Sequence, residues 1–136
     1  MRRTRPAAFV AVTLALALWA QQDLRAQEQA AAEAGVRDAL QRYSAALQSL
    51  DAAAVKKVQP SIPVENLAKA FREMRELKVE IDSVRVLSSN AATARVSCRV
   101  TQTLTPKAGS RQTTAVIRVI RLRRDANAWV IDGFER

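Results

Sequence analysis

The sequence predicts an α+β domain in which N-terminal helices pack on a mostly antiparallel four-stranded sheet. Two observations predict it. Apolar residues recur with a period near three and a half up to Leu77 and with a period of two after it, so helices fill the first half and strands the second. Segregation of that kind marks α+β rather than alternating α/β architecture. A length of 136 residues allows one domain at most.

The chain opens with Arg2, Arg3 and Arg5, then the apolar run Pro6 to Ala20, then a polar stretch ending at Leu24-Arg25-Ala26. This is the pattern of a signal peptide over residues 1–26, with the domain proper over 27–136. The run is short of the about 20 residues a spanning helix needs, and no second run follows, so the mature chain is expected to lack a transmembrane segment. The rival reading is an uncleaved membrane anchor. Ala26 suits the position before cleavage and Ala20 is a rival cut. No cysteine closely follows the run, which argues against a lipoprotein. The expected location is periplasmic or secreted. Cleavage after Ala26 removes four cations and one anion, so the formal charge falls from +9 to +6.

Between Gln27 and Leu50 the large apolar residues Val36, Leu40, Tyr43, Leu47 and Leu50 define one face of a first helix, with Ala30 to Ala34 as its frayed start. Asp51 can cap a short second helix, Ala52 to Val58, which Pro60 prevents from continuing. A third helix is expected from Val64 to Leu77, with Leu67, Phe71 and Met74 on its buried stripe. Strand one is expected over Lys78 to Leu87. Its apolar positions change phase from Val79 and Ile81 to Val84 and Val86, which predicts a bulge near Asp82 or Ser83. Strand two alternates Ala92, Ala94, Val96, Cys98 and Val100 inward. Thr105 to Ser110 is a loop, Arg111 to Arg123 strand three, and Ala128 to Phe134 strand four. The β-branched density of Val116, Ile117, Val119 and Ile120 argues against a helix marked by Arg118, Arg121 and Arg124.

Composition excludes several chemistries. There is no histidine, so no Ser-His-Asp or Cys-His pair and no His-bearing metal site. The single cysteine, Cys98, rules out intrachain disulfides and thiolate clusters. Gly35, Gly109 and Gly133 lie too far apart for a P-loop or a dinucleotide-binding fingerprint. No metal or cofactor is expected. Between Asp82 and Asp125 nine cations occur without an acid, which suits an anionic envelope surface or a solvated arginine-rich sheet. Aromatics for base stacking are missing from that stretch, so nucleic acid is not an expected partner.

The order helix, short helix, helix and four strands, opened by RYSAALQSLDAAAVKKVQP and closed by VIRLRRDANAWVID, resembles the nuclear transport factor 2-like (SnoaL-like) superfamily. The resemblance rests on Tyr43 on the first helix, Asp51 ending it, the strand ATARVSCRV and a late Trp129. It implies a curved sheet wrapped around the helices as a cone, with a pocket at the open end and often a dimer. It does not choose a reaction, because the superfamily includes isomerases, dehydratases, epoxide hydrolases and binding modules.

Tyr43 matches the tyrosine that ketosteroid isomerases use as a donor to an oxyanion. The base expected soon after the helices is missing, since Gln59 to Phe71 offers only Glu65, at a helix start where the dipole favours it structurally. Asp132, placed by alternation with Val130 and Phe134, either points into a pocket or forms a cross-strand ion pair. These residues point first to a non-catalytic domain binding a small apolar ligand or a protein partner, with Tyr43, Phe71, Met74 and Trp129 as lining. An isomerase or hydrolase using Tyr43 and Asp132 is the enzyme alternative. Cys98 is expected to be buried and inert. A homodimer is expected, because strand three is apolar on both sides: Ala115, Ile117 and Val119 on one, Val116, Ile120 and Leu122 on the other. Arg118 interrupts the second set, so a partner must satisfy it or let its stem snorkel outward.

Overall fold

The computed structural model describes residues 10–136; Arg2, Arg3, Arg5 and the start of the apolar run lie outside them. The elements follow in the order α1 (Val10–Gln48), α2 (Ala52–Val58), α3 (Val64–Arg72), β1 (Met74–Ser89), β2 (Thr93–Pro106), β3 (Gln112–Asp125) and β4 (Ala128–Glu135). Each strand pairs antiparallel with the next, in the order β1-β2-β3-β4, and the helices pack on the sheet. The expected α+β class holds.

Helix α1 is longer than its periodic part. Ala30 to Ala34 lie inside it rather than at a frayed start, and Ala32 is buried. Alanine is the best helix former, so nothing in that stretch interrupts the coil. Burial begins there: residues 17–31 are all exposed, whereas Ala32, Val36, Ala39, Leu40, Tyr43, Ala46 and Leu47 form one inward stripe. No described helix is long and apolar enough to cross a membrane.

The helix ends through Leu50, whose φ of 55° is left-handed and whose side chain rests on the core. Asp51 then caps α2 as expected, accepting from the Ala53 and Ala54 N–H groups at 3.0 and 3.4 Å. The third helix stops at Arg72 instead of Leu77. Thr103 to Pro106 prolong β2 beyond its alternating part and supply pairing partners for Met74 to Lys78, and the Lys107 N–H donates to the Glu73 carbonyl at 2.9 Å. Pairing across the sheet outweighs the local helix propensity of Met-Arg-Glu-Leu. Met74 therefore opens a strand.

The inner sheet face carries Leu77 and Val79, then Ala94, Val96, Cys98 and Val100, then Ile120 and Leu122, and finally Trp129 and Ile131, all in one core with the helix stripe. Full burial of each larger side chain contributes about 1.5–3 kcal/mol. The predicted bulge in β1 is present: the register with β2 slips between Asp82 and Arg85, and Ser83 has φ 53°.

Two expectations about faces are corrected. Ile120 lies opposite Val96 and Leu122 opposite Ala94, so the set Val116, Arg118, Ile120 and Leu122 faces inward and Arg118 does not point toward a partner chain. In β4, Arg121 pairs with Gly133 and Leu122 with Ile131, leaving Asp132 as a bulge. Asp132 turns outward with Val130, while Phe134 returns to the inner face. The simple alternation that joined all three fails because the bulge resets the phase.

Candidate functional site

Where α1 crosses β2, β3 and β4, the inner face is not filled. A cavity of about 240 Å³ remains there, lined by Tyr43, Val100, Gln102, Arg118 and Phe134. Tyr43 arrives because it shares the buried stripe of α1 with Leu40 and Leu47. Val100 and Gln102 are consecutive inward positions of β2, with Arg118 opposite Cys98 on β3. Phe134 comes from the end of β4, its ring 6.2 Å from that of Tyr43 at an interplanar angle of 46°.

The cavity's polar groups are unspent. Neither Tyr43 nor Arg118 makes a side-chain hydrogen bond or ion pair among the described residues. Burial pushes the Tyr43 hydroxyl above its ordinary range, and the Arg118 charge partly opposes that shift. The phenol is therefore neutral and a donor at neutral pH. No carboxylate is among the five lining residues. This is a site with a phenol, a guanidinium and an amide over an apolar floor, able to hold a ligand but without a general base.

The other sequence-predicted residues do not join Tyr43. Phe71 is buried beside a shallow cleft with Leu50, Ala52 and Ala68. Met74 is half-buried at the start of β1. Trp129 packs on Gly35 of α1, and its carbonyl accepts from Arg42 Nη2 at 2.9 Å. Asp132 is on the outer face, 3.3 Å from Arg123 Nε, which is the cross-strand ion pair among its two expected roles. Glu65 sits exposed in the first turn of α3. Cys98 is buried, its thiol pushed up by burial and by the Asp82 charge. Among the described residues no group of three Cys, Asp or Glu side chains could hold a metal ion. Gln102 and Arg118 were not singled out as site residues by the sequence; the signal available was Arg118 breaking an otherwise apolar alternation.

A second groove of about 290 Å³ lies on the opposite side of α1, against Ile81 and Val84. Of its polar residues, Ser44 and Gln48 are already bonded to the backbone of β1, while Arg37 and Gln41 have no side-chain partner among the described residues.

Similarity to known proteins lies in structure. No family model matches the sequence, and no curated protein matches it. Among solved structures, a candidate aromatic ring hydroxylase from Novosphingobium aromaticivorans superposes with a TM-score of 0.63 at 16% identity, over 74% of this chain and 83% of that one. A candidate dehydratase of the nuclear transport factor 2-like family from Streptomyces avermitilis gives 0.61 at 14% identity, over 73% and 90%. The fold is nuclear transport factor 2-like. A ketosteroid isomerase-like protein from Erwinia carotovora atroseptica also shares it, with a TM-score of 0.55 and 22% identity over 74% and 91%. At these identities the nuclear transport factor 2-like likeness extends to the fold and not to a reaction.

Proposed function

We propose that this chain is an exported, non-catalytic binding domain that holds a small, largely apolar molecule in the Tyr43 cavity. The observation that carries the reading is a cavity with unspent donors and no base beside them. Its about 240 Å³ lies below the roughly 300–1,000 Å³ of drug-sized sites, which favours a small ligand over an inserted protein segment. Secretion or periplasmic location rests on Arg2, Arg3 and Arg5 before the apolar run and on Ala26. The domain acts as a homodimer through the outer sheet face, where Ile117 is 74% exposed.

The names of the fold's neighbours bring an enzyme into consideration, but Tyr43 and Asp132 lie on opposite sides of the sheet and cannot share a substrate. Docking on an anionic surface would draw on a divided patch: Arg95, Arg99 and Arg123 are paired with Glu135, Asp82 and Asp132, and of the unpaired cations Arg118 and Arg124 lie on the inner face and Arg121 on the outer. Saturation-transfer NMR with indole as a neutral probe tests the binding reading. Gln102→Trp, at the exposed edge of the cavity, should abolish the signal, and Asp132→Asn should leave it intact. Indole binding that ignores Gln102→Trp, or no indole binding at all, overturns it.

A further inference from the structure

We infer that the cavity selects an organic monoanion, a small aromatic or branched carboxylate whose charged end is taken by Arg118 and whose body rests on Val100 and Phe134. The inference depends on the cavity being the binding site and adds the charge of the occupant. It begins with the register of β3. Period-two alternation carries Val116, Ile120 and Leu122 to the inner face, and the residue between Val116 and Ile120 in that set is an arginine. A guanidinium on an inner face needs an anion, water or a stacked ring.

Three other arginines of the sheet grip carboxylates, whereas Arg75, Arg85, Arg121 and Arg124 have no such partner among the described residues and do not line this cavity. Arg99 grips Asp82 through two bonds of 2.8 and 2.9 Å. Arg95 reaches Glu135 at 3.0 Å, and Arg123 reaches Asp132 at 3.3 Å. All three are on the outer face. Arg118 has no such carboxylate among the described residues, although its fork is suited to one.

The neighbours of Arg118 agree in sign. Tyr43 is a neutral phenol with a free hydroxyl donor, Gln102 adds amide donors, and Val100 and Phe134 are apolar. The site thus presents one positive charge, several donors and no fixed negative charge. One cation balances one charge, which favours a carboxylate over a phosphate dianion. At roughly 30 Å³ per water, about 240 Å³ equals the volume of about eight waters, room for a single ring with a short acid arm.

Calorimetric titration with 3-phenylpropanoate and its neutral twin 3-phenylpropanamide tests this. The carboxylate should bind about tenfold or more tightly than the amide, the margin a charge-assisted hydrogen bond supplies. Arg118→Gln should erase that margin by weakening only the carboxylate, and Arg118→Lys should restore part of it. Circular dichroism confirms that each variant is folded, as expected for an exposed position. Equal affinity for the two probes, unchanged in Arg118→Gln, overturns the monoanion while leaving a neutral binding cavity intact. Binding of neither probe overturns both readings. Carboxylate binding unaffected by Gln102→Trp places the anion on another arginine and also overturns the inference.

Discussion

The Ser44 hydroxyl donates to the Val79 carbonyl at 2.6 Å, and one turn further along α1 the Gln48 side-chain oxygen accepts the Val79 N–H at 3.2 Å. Strand β1 is an edge of the sheet, and Val79 points both backbone groups away from β2. The helix therefore closes the edge where an incoming strand could pair. Replacing Ser44 and Gln48 together by alanine should cost about 1–3 kcal/mol in urea unfolding, from two bonds of about 0.5–1.5 kcal/mol each. The same variant should speed amide exchange at Val79 selectively. Unchanged exchange there would show that the edge is protected by something other than these two side chains.

Gly35 lies in the middle of α1, where alanine would ordinarily stabilise by about 1 kcal/mol. Here the sign reverses. An added Cβ would meet the Trp129 indole, coming within 2.7 Å of Nε1 and closer still to Cδ1. Trp129 is buried and its backbone carbonyl is held by Arg42, so the ring has little freedom to retreat. Gly35→Ala should lose about 1–3 kcal/mol, as overpacking does, and perturb tryptophan fluorescence. A stabilised Gly35→Ala protein would refute the close approach.

These contacts mark the limit of what the sequence discloses. The bulge at Ser83 was legible because apolar residues on either side change phase in view. The bulge at Asp132 was not, because Trp129, Val130 and Ile131 are all buried and three consecutive buried residues hide any alternation. The end of α3 depended on Thr103 to Pro106, about thirty residues away, and could not be read locally. Tyr43 stood out through helical periodicity, whereas its partners Gln102, Arg118 and Phe134 are gathered only by strand register.

Tyr43 is the only tyrosine, so tyrosinate absorbance reports it alone. Burial raises its pKa above the ordinary 10.0 and the Arg118 charge lowers it. In the folded protein the midpoint should lie above 10.0, and Arg118→Gln should move it higher. The unfolded chain loses this proton first, so the Tyr43 contribution to stability is intact below pH 10.0 and is lost as pH rises through the folded pKa. Tyr43→Phe should flatten that alkaline loss. It should cost within about 0.5 kcal/mol at neutral pH, because no protein partner of the hydroxyl is removed. Tyr43→Ala should cost about 3–5 kcal/mol by opening a cavity. Equal costs for the two would show that the hydroxyl matters structurally after all.

Export predicts a mature chain beginning at Gln27. Among the residues whose burial is described, cleavage after Ala26 would discard only exposed ones, since residues 17–31 are all exposed and Ala32 is the first buried. A chain starting at Gln27 should therefore unfold with the same urea midpoint as one retaining the preceding turns of α1. Mass spectrometry of periplasmic and culture fractions checks the cut. Material still carrying Met1 through Ala20 would sink the export proposal.

The outer face of β3 leads to the last prediction. Ala115, Ile117 and Val119 face away from the helices, and Ile117 stands 74% exposed with Arg99 opposite it on β2. An exposed β-branched residue on a broad sheet is an association site when neighbouring charge does not forbid it. Here the flanking cations Arg95, Arg99 and Arg123 are each held by a carboxylate, which leaves Arg121 as the one arginine of β3's outer set without such a partner among the described residues, for an approaching copy to accommodate. The ion pairs would then form the polar rim around an apolar centre. A specific interface of about 800 Å² per chain fits one face of such a sheet. Light scattering at micromolar concentration should give the mass of two chains, and Ile117→Lys should give the mass of one without loss of fold, because no core contact is touched. A wild-type mass of one chain that stays constant over an about tenfold rise in concentration would refute the dimer and leave Ile117 as a solvated residue on a charged face.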